Sequence, residues 1–246
     1  MTPKLEVKNL SFSYENKEVL RDLSFHIIPG EFVSVLGTSG GGKSTLLNLL
    51  AGTLTPDSGE MRVDGAPITG LSSHFAYMPQ RDLLFDWQTI LDNVCLYGRI
   101  HGKVKEAREE ALTRFEAFGL AGCEALYPGS LSGGMRQRAA FLRTSLCDAD
   151  ILLLDEPFGA LDVISRGEMQ EWLLSMRSRL SRTALLVTHD VAEAIYLSDR
   201  ILVLGGHPAK VVQEFTITET NRTRDWLFTQ GDLRGAIYRC IKGDHA

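Results

Sequence analysis

Apolar positions in this chain fall into short blocks separated by turn-forming residues, and the blocks change character along the sequence. Glu31-Phe32-Val33-Ser34-Val35-Leu36 alternates and then runs apolar, as a strand entering a core does, with Pro29-Gly30 ahead of it as a turn. Ile151-Leu152-Leu153-Leu154 and Ala184-Leu185-Leu186-Val187 are apolar runs of strand length. Thr55 to Glu60 reads as a turn leading into a strand at Met61-Arg62-Val63, and Lys210 to Phe215 as a last strand. A helix opens at Thr45-Leu46-Leu47-Asn48-Leu49-Leu50. From residue 88 to 120 the pattern turns helical, and Lys105 to Leu112 has the charge mix and period of an exposed amphipathic helix. Arg224 to Ile241 reads as one terminal helix carrying Trp226, Leu227 and Tyr238. A strand-rich start to residue 80, a helical middle and a strand-and-helix end predict an α/β fold.

Between the strand ending at Leu36 and the helix opening at Thr45 lies Gly37-Thr38-Ser39-Gly40-Gly41-Gly42-Lys43-Ser44. A triphosphate is recognised by backbone N–H groups brought close to its oxygens. Glycines remove the Cβ that would block the approach and permit positive φ, and the helix adds its N-terminal donors. A flexible Gly/Ser linker is the plain alternative, yet a linker has no reason to set Lys-Ser between a strand and a helix. The segment therefore reads as a phosphate loop. Lys43 is the point charge for the β- and γ-phosphates, and the Ser44 hydroxyl a ligand for Mg²⁺.

The run at 151 to 154 ends in Asp155-Glu156, and Pro157 stops the strand. Ligands gather at the carboxyl ends of strands in a parallel sheet. Asp155 would face the Mg²⁺ held by Ser44, and Glu156 is placed to take a proton from an attacking water. Alone, Asp-Glu-Pro could simply cap a helix. The run at 184 to 187 ends in Thr188-His189-Asp190 in the same topological position. A single His at a strand end is often structural; here contact with a γ-phosphate is the better reading.

Leu131-Ser132-Gly133-Gly134-Met135-Arg136-Gln137-Arg138 is another anion-site pattern, a Ser hydroxyl and glycine N–H groups opening a helix through Ala139-Ala140-Phe141-Leu142. In isolation it would be an ordinary helix cap. Set between the phosphate loop and Asp155 at this spacing, it resembles the signature of ATP-binding cassette (ABC) proteins, which in most members ends in Gln where this chain has Met135. The resemblance spans residues 4 to 215.

It implies a P-loop NTPase (RecA-like) α/β core with an N-terminal antiparallel β region and an inserted α-helical subdomain. Residues 1–246 would form one domain, with 1–80 and 151–246 as the core and 81–150 as the helical subdomain. It implies that ATP is held by Gly37, Thr38, Ser39, Gly40, Gly41, Gly42, Lys43, Ser44 and Thr45, with Tyr14 stacked on adenine; a buried strand tyrosine is the other reading. Gln80, in Tyr77-Met78-Pro79-Gln80, resembles the Q-loop glutamine that touches Mg²⁺ or water and senses a transport partner. Gly159-Ala160-Leu161-Asp162 resembles the D-loop, so that Asp162 crosses a dimer interface. The resemblance further implies a head-to-tail dimer, of identical chains or of this chain with a homologous ATPase subunit. Each chain would lend Ser132, Gly133 and Gly134 to its partner's ATP. Asp155, Ser44 and Gln80 would hold Mg²⁺, Glu156 would be the general base, and His189 would hold γ-phosphate and water.

Leu83-Leu84-Phe85-Asp86-Trp87 followed by Thr89-Ile90-Leu91-Asp92-Asn93-Val94 resembles one group within the family: ATPase subunits of bacterial importers for nitrate, alkyl sulfonates, taurine and pyrimidine precursors of thiamine. Many members have Pro where Asp86 stands. The resemblance implies membrane permease subunits as partners, an extracytoplasmic solute-binding protein as an indirect one, and a peripheral place on the cytoplasmic face of the cell membrane. Some of Leu83, Leu84, Phe85 and Trp87 would then form the socket for a permease helix, although lobe core is the commoner fate of such residues.

The bulk numbers sharpen this only a little. In 246 residues, 44% hydrophobic and 23% charged content are ordinary for a globular chain. No apolar stretch approaches the roughly 20 residues of a membrane span, and the start has no signal-peptide pattern, so a channel is expected in another chain. The 4 cysteines form no C-x-x-C pair, which disfavours zinc and disulfide frameworks. A net charge of −5 argues against a general nucleic-acid surface, and no nucleic-acid partner is expected. Other readings remain: a non-transport ABC ATPase of DNA repair or translation, which would usually carry a coiled-coil insertion or a second cassette; a P-loop phosphotransferase, which would leave Leu131 to Met135 without a role; and a nonhydrolysing ATP sensor.

Overall fold

The computed structural model describes residues 2–180 and 182–243. A 4-stranded antiparallel sheet is built from β1 (Leu5–Tyr14), β2 (Lys17–Ile27), β4 (Ser58–Val63) and β5 (Ala66–Ile68) in the order β2-β1-β4-β5. A 6-stranded sheet contains β3 (Phe32–Leu36), β6 (Phe75–Met78), β7 (Ile151–Asp155), β8 (Thr183–Thr188), β9 (Arg200–Gly205) and β10 (Lys210–Thr216) in the order β10-β9-β3-β8-β7-β6. All its pairings are parallel except β9 with β10.

Helices α1 (Lys43–Leu50), α2 (Ile90–Val94), α3 (Leu96–Ile100), α4 (Val104–Arg114), α5 (Gly133–Ser145), α6 (Val163–Leu180), α7 (Val191–Leu197), α8 (Arg224–Thr229) and α9 (Gly231–Lys242) complete the fold. This is the α/β architecture of P-loop NTPases. Strands buried on both faces read as continuous apolar runs, and β7 shows how one run serves two cores. Ile151 and Leu153 join Val33, Val35, Leu46 and Leu50 on the side of α1 and the antiparallel sheet. Leu152 and Leu154 join Phe141, Leu173 and Ile195 on the side of α5, α6 and α7.

The helices of the middle segment are fastened to the core by aromatic packing. Phe118, Phe141 of α5 and Trp172 of α6 form a cluster with ring centroids 5.1–6.3 Å apart, two of the contacts edge-on. The Trp172 indole donates to the Ala117 carbonyl at 3.2 Å, so this large, partly buried side chain has no orphaned N–H. In α4 the buried stripe is narrower than the predicted pattern: Ala111 is buried and Ala107 partly so, while Leu112 faces solvent.

Two predicted elements change. The turn expected over Thr55 to Glu60 yields its last three residues to β4, which begins at Ser58. Ser58 pairs with Ser11 and Glu60 with Lys8, with a register shift between them. The shift is built on Gly59, whose φ is 93° and where a Cβ would lie 2.4 Å from the Asn9 carbonyl oxygen. Turn-forming composition here marks a strand irregularity. The single terminal helix is in fact α8 and α9, broken at Gln230, whose ψ of 36° leaves the helical range ahead of Gly231.

The parallel strands end together. The carboxyl ends of β3, β8, β7 and β6 lie side by side and deliver residues 37–42, Thr188-His189, Asp155-Glu156 and Pro79-Gln80 to one edge. Because Gly59 combines positive φ with a backbone clash, Gly59→Ala is expected to cost about 1–3 kcal/mol of stability, read as a lowered urea midpoint at unchanged m-value.

Candidate nucleotide site

The loop between β3 and α1 is held open by its glycines. Gly40 and Gly42 adopt φ of 74° and 81°, and Gly42 packs against Val19 and Leu20 of β2 so closely that a Cβ would sit 2.6 Å from Leu20 Cδ2. Lys43, the first residue of α1, is only 6% exposed. Its Nζ donates to the carbonyls of Gly37 at 2.9 Å and Thr38 at 2.8 Å, and among the described residues it has no carboxylate within ion-pair distance. Burial pushes its ammonium below the ordinary value, against the pull of Glu156 and Asp155. A buried cation held only by backbone carbonyls is short of anionic company. Ser44 beside it is exposed and Thr45 is buried.

Three side chains meet at the neighbouring strand ends. His189 Nδ1 lies 3.1 Å from Glu156 Oε2, and Gln80 Nε2 lies 3.5 Å from the same oxygen. Glu156 stands at φ 43°, a left-handed backbone for a non-glycine residue that the β7 end imposes. Asp155 accepts a hydrogen bond from the Tyr77 hydroxyl at 2.9 Å. Burial still raises its carboxyl above the ordinary value, and burial beside Asp155 keeps the Tyr77 phenol protonated well above its own.

Ser132, Gly133 and Gly134 are placed elsewhere. Ser132 caps α5 by accepting from Met135 N. With Gly134 it lines a cleft shared with Ser165, Glu168 and Met169, and no residue of the phosphate loop lines that cleft. Asp162 caps the start of α6, accepting from Ile164 N at 3.0 Å and Ser165 N at 3.1 Å; the Ser165 side chain first, then these backbone bonds, hold its carboxyl below the ordinary value. Tyr14 ends β1 with its ring 47% exposed, edge-on to Phe12 at 4.8 Å, so it is not a buried strand tyrosine.

The segment after Gln80 is clamped by the helix that Ser132 opens. Arg136 of α5 makes a two-point hydrogen bond to the Asp82 carboxylate at 2.9 and 3.2 Å. Arg143, farther along α5, donates to the carbonyls of Leu83 and Asp82. Burial works to raise the Asp82 carboxyl, but the Arg136 bonds, the Leu84 N–H and the charges of Arg136 and Arg143 together hold it below the ordinary value. Leu84 enters the core, whereas Leu83 is 58% and Trp87 74% exposed, with Phe85 half-buried at 5.0 Å from the Trp87 ring.

A strand–glycine loop–helix, polar residues at adjacent parallel strand ends and a Ser-Gly-Gly helix start define an ATP-binding cassette. The chain belongs to the ABC transporter family, whose model matches residues 20–159. It is 46% identical over 206 residues to the formylaminopyrimidine import ATP-binding protein ThiZ of Halalkalibacterium halodurans, covering 83% of this chain and 80% of that one. It is 39% identical over 241 residues to the taurine import ATP-binding protein TauB of Yersinia pestis, covering 98% and 91%. A dimeric post-hydrolysis structure of the ATP-binding cassette MJ0796 bound to ADP and Pi superposes with a TM-score of 0.73 at 28% identity, over 87% of this chain and 99% of that one. The chain is an ATPase of the ABC type. Among the described residues no helix is long and apolar enough to cross a membrane.

Sequence reasoning missed a buried acid behind His189. Asp190 caps α7, accepting from Ala192 N at 2.8 Å and Glu193 N at 3.2 Å. Glu193 itself is 4% exposed. Burial, aided by the charge of Asp190, pushes its carboxyl up to about 8. Gln170 Nε2 sits 3.5 Å from Oε2, and Oε1 has no partner among the described residues. A carboxyl with a raised folded-state pKa keeps its proton in the native state while the unfolded chain ionises. Stability is therefore lost as pH rises from the ordinary carboxylate range toward about 8. Glu193→Gln is expected to be more stable than wild type by about 1–3 kcal/mol at pH 8, with the gap closing toward pH 5. Urea unfolding across that range checks it.

Proposed function

We propose that this chain is the ATP-hydrolysing subunit of a bacterial ABC importer, acting as a head-to-tail dimer on the cytoplasmic face of the membrane against separate permease subunits. The observation that carries the hydrolytic part is the meeting of Glu156, His189 and Gln80 beside a buried Lys43 that has no carboxylate partner among the described residues. The import reading is supported by ThiZ and TauB, both named as import ATP-binding proteins.

The residues fit the nucleotide and its metal. An uncompensated ammonium among loop backbone groups suits a β,γ-phosphate, and the glycines at 40 and 42 leave the approach clear. Mg²⁺ takes few protein ligands and prefers oxygen; the Ser44 hydroxyl and the Asp155 carboxylate, with Gln80 nearby, supply that donor set. When bound, the ion neutralises charge on the phosphate oxygens. Glu156 accepts the proton of the attacking water, and His189, with Nδ1 3.1 Å from Glu156 Oε2, holds that carboxylate and the γ-phosphate in line. The loop from Gly37 to Thr45 binds the phosphates and Tyr14 offers its exposed ring to the base. Ser132 and Gly134 line a cleft apart from the phosphate loop, with Gly133 between them in the chain. That placement suits service to a second chain's nucleotide, with Asp162 at the same face.

The exposed Leu83 and Trp87 are the apolar contacts offered to a permease, and the α5 clamp on Asp82 ties that patch to the helix carrying Ser132. A solute-binding protein would meet the permease and never this chain.

Glu156→Gln is the direct test. Nucleotide affinity is expected to stay within about threefold of wild type while turnover falls at least about 100-fold and ATP drives dimerisation visible by light scattering. Turnover near the wild-type rate would remove Glu156 from the reaction. Trp87→Ala is expected to keep basal ATPase activity and lose most of the polytopic membrane protein that a tagged wild-type chain recovers from gently solubilised membranes. Recovery of soluble partners alone by the wild type would favour the non-transport reading.

A further inference from the structure

Tyr77 has no role in the reading above, yet it makes the one hydrogen bond to the Asp155 side chain found among the described residues. The contact follows from the sheet. In the parallel pairing of β6 with β7, Tyr77 stands opposite Leu153. Paired residues present side chains to the same face, and Asp155, two residues beyond Leu153, shares it. Leu153 packs with Leu46, Leu47 and Leu50 of α1, so this is the face on which α1 carries Ser44. Tyr77 therefore reaches Asp155 from the edge strand, with its hydroxyl on Oδ2 at 2.9 Å.

We propose that Tyr77 is a positioning residue for the metal: by occupying Asp155 Oδ2 it fixes the carboxylate's rotation and leaves Oδ1 alone to face the cation. The inference rests on the assignment of Asp155 to Mg²⁺. A carboxylate free to rotate can offer both oxygens, a four-membered chelate that fits poorly into the near-octahedral shell Mg²⁺ demands. A donor fixed on one oxygen removes that choice and orders the other before the ion arrives, as outer partners of metal ligands do. The phenol suits the task because its place is set by the sheet: Tyr77 pairs with Leu153 and lines, with Phe75 and Leu71, a cleft of about 350 Å³.

Tyr77→Phe keeps the ring and deletes only the donor. The test uses the full chain with a nonhydrolysable ATP analogue and Mn²⁺ as the metal probe, followed by electron paramagnetic resonance. Mn²⁺ affinity of the protein–nucleotide complex is expected to fall about tenfold, with metal-free affinity for the analogue and the melting temperature unchanged. Unchanged or tighter Mn²⁺ binding in Tyr77→Phe would overturn the proposal. Asp155→Asn is run beside it: loss of Mn²⁺ in that variant with none in Tyr77→Phe sinks the tyrosine's role alone. Full Mn²⁺ affinity in Asp155→Asn removes the metal assignment, and the proposal with it.

Discussion

The parallel register of β3, β8, β7 and β6 is the constraint on which the rest depends. Asp155 pairs with Val187, Leu36 with Thr188 and Met78 with Leu154. Each strand therefore stops within a residue or two of its neighbour, and the groups that follow arrive at one edge. Shifting any strand by one residue would invert its apolar faces: Leu153 and Leu154 serve opposite cores. The hydrophobic demand of two cores thus sets the position of Asp155 and Glu156 as firmly as any polar contact. The strain at Glu156 is tolerated because buried strand and buried Pro157 hold it from either side.

Around that fixed edge the polar network is sparse. Lys43 makes do with carbonyls, and Glu156 gathers His189 and Gln80 onto a single oxygen. Charge that is fully satisfied lies farther away, at Asp199 between Arg177 and Arg222 and at Asp82 under Arg136. The contrast separates carboxylates held by arginines from a lysine that has carbonyls alone.

Much of this was legible in the sequence because chemistry leaves residue types at fixed spacing: glycines where backbone must approach an anion, acids after an apolar run. The strands β7 and β8 announce themselves through the apolar runs at 151–154 and 184–187, and β3 through the largely apolar stretch at 31–36. Elsewhere the cause is not local. Gly59 reads as a turn residue because its reason, the Asn9 backbone, lies across the sheet. The break at Gln230 has only one weak signal, Gly231. Tyr77 meets Asp155 through strand order, and Glu193 looks like any exposed helix acid until α6 and α7 close over it. The cluster Leu83 to Trp87 was visible as apolar, but which members turn inward is decided by the clamp on Asp82 and the positive φ of Leu83.

The clamp itself has a mechanical consequence. Arg136 and Arg143 grip the same short segment from points seven residues apart on α5, about 10 Å along its axis. A single tether transmits pull but lets the tethered piece swivel. Two tethers spaced along a rigid rod transmit torque as well. Residues 82–84 must follow α5 in rotation as in translation, so they behave as a crank pinned to the helix, and a few degrees of roll at Ser132 would re-aim Trp87 without any bond being broken.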